Sequence, residues 1–300
     1  MKIKNRKNFQ NPIGVWKYTG LILISPFIIG FIAFTLYPFV SSFIIGLTEY
    51  DNVHQPKFIG ADNYINMFKD REFLKAAAVT LKYAAILVPI KLVIALLTAM
   101  LLNLEIKGIG VFRTIFYIPS ILGANLSIVI MWQYLFTSNG LMNQFLKFIG
   151  IAPISWYGEA GAALSIIVLL RVWEFGSTMI IFLTALHGIP RDYYDAAKTD
   201  GCGSVRTFFK ITLPLLKNVI FINLVLQTIS ALQEFSAPYM ITGGSPMKST
   251  YTVGMMIYDE MFSYNNIGYA NAVSWVLFIV IAVIVFLLYK LSGRMREVMK

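Results

Sequence analysis

Six apolar blocks, each about 20 to 26 residues long, dominate this chain, at approximately 20–44, 77–102, 113–137, 162–186, 218–240 and 270–290. The hydrocarbon core of a bilayer takes about 20 helical residues to cross. Inside it every backbone N–H and C=O must be satisfied within the protein, which leaves helices and closed barrels as spanning structures. Blocks of this length suit helices crossing with some tilt. The expectation is therefore an all-α membrane protein with six transmembrane helices. Charged residues make up only 13% of the chain and hydrophobic residues 57%. A soluble domain carries about 25% charged residues, so too few are present to cover a water-facing surface. Pro26, Pro38, Pro89 and Pro119 interrupt the blocks, which membrane helices tolerate where neighbours re-satisfy the freed backbone. Pro119, Gly123 and Asn125 together predict a kink in the third block.

The net charge of +10 is unevenly distributed. With the N-terminus in the cytoplasm, the segments 1–17, 103–113, 187–217 and 290–300 hold 16 of the 25 Lys and Arg residues, and the opposite loops hold 6. Excess Lys and Arg in short loops marks the cytoplasmic side. The predicted organisation is a cytoplasmic N-terminal tail (1–17), a first span with an outer loop (18–76), a transmembrane core (77–290) with a cytoplasmic loop at 187–217, and a cytoplasmic C-terminal tail (291–300). The apolar run from Tyr18 to Leu47 is too long for a signal-peptide core and no A-x-A site follows it, so an uncleaved first span is expected. No soluble segment is long enough to carry a basic nucleic-acid-binding patch. Cys202 is the one cysteine, and His54 and His187 are far apart. The pattern offers no disulfide and no metal-ligand spacing.

The longest cytoplasmic segment reads HGIPRDYYDAAKTDGCGSVRTFFKITLPLLK, from His187 to Lys217. Pro190 suits a helix start, and Asp192 and Asp195 favour the positive end of the helix dipole. Tyr193, Ala196 and Ala197 have the spacing of one helical side. Gly201 suits the left-handed residue after a helix end. Ser204 is a candidate N-cap for a second helix bearing an apolar stripe of Val205, Phe208, Phe209 and Leu213. Two short helices with a glycine corner form an elbow at the membrane surface. Small alanines there would let a partner backbone approach, whereas an ordinary amphipathic interfacial loop would look similar.

That segment resembles the E-A-A-x-x-x-G loop of the permease subunits of binding-protein-dependent ABC importers, in the form found in the sugar (maltose or glycerol-phosphate) type. Ile189, Pro190, Ala196, Ala197, Asp200, Gly201, Phe208, Ile211, Leu213 and Pro214 match. Asp195 stands where the family has glutamate and Cys202 where it has alanine; charge and small size are kept. Further phrases follow in order: Phe58-Ile59-Gly60 with Asn63 and Tyr64, FRTIFYIP from Phe112 to Pro119, Gly140-Leu141 with Asn143, Thr242 to Pro246, and Gly268-Tyr269-Ala270.

The resemblance implies a type I importer architecture. It implies two cytoplasmic ATP-binding subunits, a second permease subunit forming a heterodimer, an extracytoplasmic solute-binding protein, and a sugar substrate, all at a bacterial or archaeal cell membrane. Asp195, Ala196, Ala197, Asp200, Gly201 and Cys202 would then couple the chain to an ATP-binding subunit. No G-x-x-x-x-G-K-[ST] phosphate loop occurs; the nearest stretch, 243–250, has Lys248 where the second glycine belongs. No catalytic residue, metal or cofactor is expected in this subunit.

Sugars are held by hydroxyl hydrogen bonds and aromatic faces. Trp132, Arg171, Trp173, Glu174, Glu234, Phe235 and Tyr239 are the candidates for a substrate path. Arg171 and Glu174, three residues apart, are also placed to pair with each other. Glu234 also suits a wetted interfacial acid, and the aromatics suit interface anchors. Lys82 can reach the outer surface, and Lys91 lies deeper. An ion-coupled secondary transporter is the competing class; its usual repeated halves are not visible in the sequence. A permease for a non-sugar solute such as glycerol phosphate is the other alternative.

Overall fold

The computed structural model describes residues 19–104, 106–123 and 126–297; the predicted tail at 1–17 lies outside them. Among the described residues three helices are long and apolar enough to cross a membrane, and three bent helix pairs, the last of them Lys217–Leu232 with the elbow helix before it, bring the number to six. The first crossing comprises α1 (Thr19–Phe31), a π-helical turn (Ile32–Leu36) and α2 (Tyr37–Gly46). A two-residue antiparallel ladder, β1 (Thr48–Glu49) with β2 (Lys57–Phe58), closes the loop that follows. α3 (Asp62–Lys69) leads into α4 (Arg71–Leu102), the longest helix among the described residues. α4 begins six residues before the predicted boundary at 77, because Asp70 caps it: its carboxylate accepts from the Glu72 N–H at 2.8 Å. Pro89 leaves α4 continuous.

The third crossing is a sharply bent pair, α5 (Ile109–Leu122) and α6 (Leu126–Leu135), broken next to the predicted kink. α7 (Leu141–Phe148) follows it. The fourth crossing is also divided, which the sequence reading did not anticipate: α8 (Ala160–Trp173) and α9 (Gly176–His187) meet at 42°. α10 (Arg191–Thr199), α11 (Ser204–Thr207), a π turn (Phe208–Thr212) and α12 (Leu213–Leu215) build the elbow. α13 (Lys217–Leu232) is the fifth crossing, and it ends before the predicted 240. The chain breaks at 233–235 and resumes as α14 (Ser236–Ile241). α15 (Val253–Tyr258), a π turn (Asp259–Ser263) and α16 (Ile267–Glu297) complete the chain. α16 carries helix through Glu297, into the region expected as a tail from 291.

α4 is the central post, packed against α8, α9 and α13. Three apolar clusters are strung along the bundle. Tyr83, Leu87, Ile166, Leu170 and Leu232 fill its middle. Ala95, Ala99, Met179, Phe182 and Leu216 fill the end nearest the elbow, where alanines four residues apart on α4 admit α9 closely. Met67, Phe73, Met255, Met256 and Val273 fill the far end. α1 differs from all of this. No side chain from 20 to 40 is buried, and Leu23, Phe27 and Phe34 are 71–85% exposed.

Candidate functional site

Two helix breaks face each other across the bundle, and an arginine joins them. Arg171 sits two residues before the end of α8. Its Nε and Nη2 donate to the two carboxylate oxygens of Glu234 at 2.7 and 2.9 Å. Its Nη1 donates to both oxygens of Glu174 at 3.0 and 2.9 Å. Glu174 is the residue at which α8 ends, and Glu234 lies in the break between α13 and α14. The predicted Arg171–Glu174 pair is therefore present, but as half of a triad. Glu234 is buried, not a wetted interfacial acid. A guanidinium fork satisfying two carboxylates is the geometry for which Arg is suited and Lys is not. Lys91 on α4 lies within electrostatic reach of all three charges.

Each break is held by groups outside the triad. The Glu234 carboxylate also accepts from the Ala237 N–H at 3.1 Å, capping α14. The Thr252 hydroxyl donates to the Glu234 carbonyl at 2.8 Å. At the other break the Ser120 hydroxyl donates to the Glu174 carbonyl at 3.2 Å and accepts from the Ser177 N–H at 3.0 Å. Orphan backbone groups inside a membrane protein need such partners. The close approach depends on Gly176, where an added Cβ would lie 2.5 Å from the Phe116 carbonyl oxygen.

The aromatic candidates divide into two groups. Trp132 and Trp173 meet as tilted rings with centres 5.6 Å apart, and the Trp132 indole donates to the Ile166 carbonyl at 3.2 Å. Both pack against the central cluster. Phe235 and Tyr239 instead belong to a ladder of rings running outward from the α13–α14 break. Phe235 contacts Tyr239 and Tyr258 at 5.1 and 5.0 Å, and Tyr258 contacts Phe262 at 5.0 Å. Tyr239 and Phe262 leave ring surface exposed. Tyr258 and Phe262 were missed from sequence, although their i, i+4 spacing signals a ring pair on a helix. Tyr83, fully buried on α4 beside the triad, was missed because it reads as part of an apolar run.

At the elbow, α10 stops at Asp200 and Gly201 has φ +70°. The Gly201 N–H reaches the Lys198 carbonyl at 3.0 Å and the Cys202 N–H reaches the Ala197 carbonyl at 2.9 Å, the paired bonds of a Schellman termination. Gly201 thus takes the left-handed role expected of it. Ser204 does not cap: Gly203 holds the N-cap position and Ser204 is already helical. The alanines face different ways, Ala196 exposed and Ala197 buried. Asp195 and Asp200 are exposed, Cys202 half-buried. Tyr193, Val205 and Phe209 are 51%, 73% and 60% exposed, an apolar face with no cover among the described residues. Tyr194 joins the two arms of the elbow through a 3.2 Å contact with the Thr212 hydroxyl.

Residues 71–297 match the family model described as the binding-protein-dependent transport system inner membrane component. The chain belongs to this family. The permease is 42% identical, over 91% of its length and 90% of the relative's, to the probable ABC transporter permease protein YesP of Bacillus subtilis. It is 31% identical, over 93% and 94%, to the trehalose/maltose transport system permease protein MalF of Thermococcus litoralis. In fold it resembles a chain of the bacterial alginate ABC transporter solved with alginate pentasaccharide-bound periplasmic protein, with a TM-score of 0.80 over 93% of this permease and 95% of that chain at 22% identity. The type I importer fold expected from the sequence is the one observed. The permease is a multi-pass membrane protein and a transport subunit working with a substrate-binding protein.

Proposed function

We propose that this permease carries a sugar or oligosaccharide through the membrane as half of a permease heterodimer, driven by two cytoplasmic ATP-binding subunits that grip the elbow at 187–217. Both termini are then cytoplasmic, in keeping with the Lys and Arg bias. The observation that carries the reading is the elbow itself. A glycine-terminated helix corner displays Tyr193, Val205 and Phe209 exposed, and its two arms are joined by Tyr194 and Thr212. Asp195, Ala196, Asp200 and Gly201 form its exposed rim, with Ala197 and Cys202 behind. Exposed apolar side chains beside charged ones suit a docking knob.

The second permease has an obvious surface to meet. The first crossing leaves its apolar residues from 20 to 40 unburied within this chain. The sugar reading is supported by relatives named for trehalose/maltose and lactose transport. It is also supported by the ring ladder from Phe262 to Phe235, which ends next to the Arg171 triad. Aromatic faces and a few fixed polar groups are the usual means of holding sugars. Arg171, Glu174, Glu234, Phe235 and Tyr239 line the proposed path, while Trp132 and Trp173 brace its wall.

The test is reconstitution of the permease pair, ATP-binding subunits and binding protein in liposomes. Sugar uptake should require ATP inside, and Val205→Asp with Phe209→Asp should abolish uptake and release the ATP-binding subunits. Uptake by the permease alone on a proton or sodium gradient would overturn the reading.

A further inference from the structure

An apolar groove of about 480 Å³ lies between the elbow-side ends of α13 and α16. Phe221 and Leu224 on α13 and Leu288 and Leu291 on α16 line it, with Lys217 and Ser292 at one end. Leu213 and Pro214 continue the lining on the elbow side of Lys217. Lys217 to Leu224 spans two helical turns, about 10 Å. The Lys217 Nζ is shielded from water and has no hydrogen-bond partner among the described residues. An ammonium withdrawn from water without a counter-charge is costly. Lys217 is also the first residue of α13, where a cation opposes the helix dipole.

We propose that the groove holds one anionic glycerophospholipid of the elbow-side leaflet, its phosphate on Lys217 and the Ser292 hydroxyl and its acyl chain along Phe221, Leu224 and Leu288. The charge complementarity selects the headgroup: basic pockets between membrane helices bind anionic lipid headgroups. The groove's wall selects an acyl chain over a free anion, because its lining is aliphatic or aromatic except at the polar end. The lipid would tie the start of the fifth crossing to the end of the sixth, directly behind the elbow.

The experiment uses the assembled transporter purified in mild detergent, with phosphatidylglycerol as probe and phosphatidylcholine of the same chains as reference. Native mass spectrometry should find phosphatidylglycerol retained and phosphatidylcholine lost. Lys217→Gln should weaken phosphatidylglycerol retention by about fivefold, the worth of one cation near an anionic surface, and Lys217→Arg should keep it. Lys147→Gln, at an exposed lysine of α7, should leave phosphatidylglycerol retention unchanged. Equal retention by Lys217→Gln and the unaltered protein overturns the proposal. So does equal protection of the site by inorganic phosphate alone, which would make it a free-anion site. Cross-linking that puts the second permease in the groove also overturns it.

Discussion

Arg171 and Glu234, 63 residues apart in sequence, share two charge-assisted bonds between the fourth and fifth crossings, and each lies beside a break in its own helix. The pair therefore fixes the relative height of two discontinuous helices. Removing one member of a buried pair leaves the other uncompensated, at a cost of about 3 to 5 kcal/mol. Glu234→Leu should lower the thermal midpoint of the purified permease and abolish uptake. Changing Arg171→Met, Glu174→Gln and Glu234→Gln together removes every charge of the triad and should regain part of the lost stability without regaining uptake. A thermal shift series on the variants checks both. A triple variant less stable than Glu234→Leu would show that the charges serve packing through some other contact.

The six crossings were legible because bilayer thickness sets a length that a sequence displays directly. The break in the fourth crossing was not. Leu170 to Ser177 contains no proline, and what ends the helix is tertiary: Glu174 turned to Arg171, and Ser120 of another crossing taking up the freed backbone groups. The fifth crossing ended early for a similar reason, since Thr252 from a distant loop holds the Glu234 carbonyl. Local pattern carried the elbow, where Gly201 and Pro190 set the backbone themselves. It failed at Ser204, whose capping role depends on where Gly203 turns the chain. Arg171 and Glu174 were readable as a pair from spacing alone; their joint partner was not, because Glu234 lies 63 positions on from Arg171 in the sequence.

Gly176 lies where α9 crosses α5, and a side chain there would meet the Phe116 carbonyl, the Ser120 hydroxyl and the Tyr117 backbone within 3 Å. Forced overpacking of this kind costs about 1 to 3 kcal/mol. Gly176→Val should therefore destabilise the permease by that amount and displace Ser120 from the Glu174 carbonyl. Gly161→Val, at a position with open space around it, should be neutral. Denaturation midpoints of the two variants separate crowding from a general intolerance of glycine loss.

The elbow separates fold from coupling. Asp195 is 67% exposed and pairs with Lys198 at 3.4 Å, an exposed pair worth little to stability. Asp195→Lys should leave the melting temperature unchanged and reduce coupled uptake at least tenfold by repelling the docking partner. Gly201 has φ +70°, where a residue with a side chain pays about 1 to 2 kcal/mol. Asn visits that region more readily than Leu. Gly201→Asn should retain most uptake and Gly201→Leu should lose it. Equal uptake by the two variants would remove the backbone argument.

A last prediction concerns pH at the loop after the first crossing. The His54 ring nitrogen bonds the Asp51 carboxylate at 2.7 Å, and the same side chain accepts from the Val53 and His54 N–H groups. Those bonds, the His54 backbone one foremost, hold Asp51 down to about 2, and the Asp51 hydrogen bond pushes His54 above its usual 6.5. The depressed acid favours the closed loop above pH 3.8, and that contribution fades as pH falls toward 2. The raised imidazole favours it below pH 6.5, and that contribution fades as pH rises through the folded value. The contact is strongest between those limits. The chain has two histidines, so ring-labelled histidine gives two resonances. The His54 midpoint should lie above 6.5 and fall back toward it in Asp51→Asn. An unchanged His54 midpoint in that variant would mean the loop does not hold the pair.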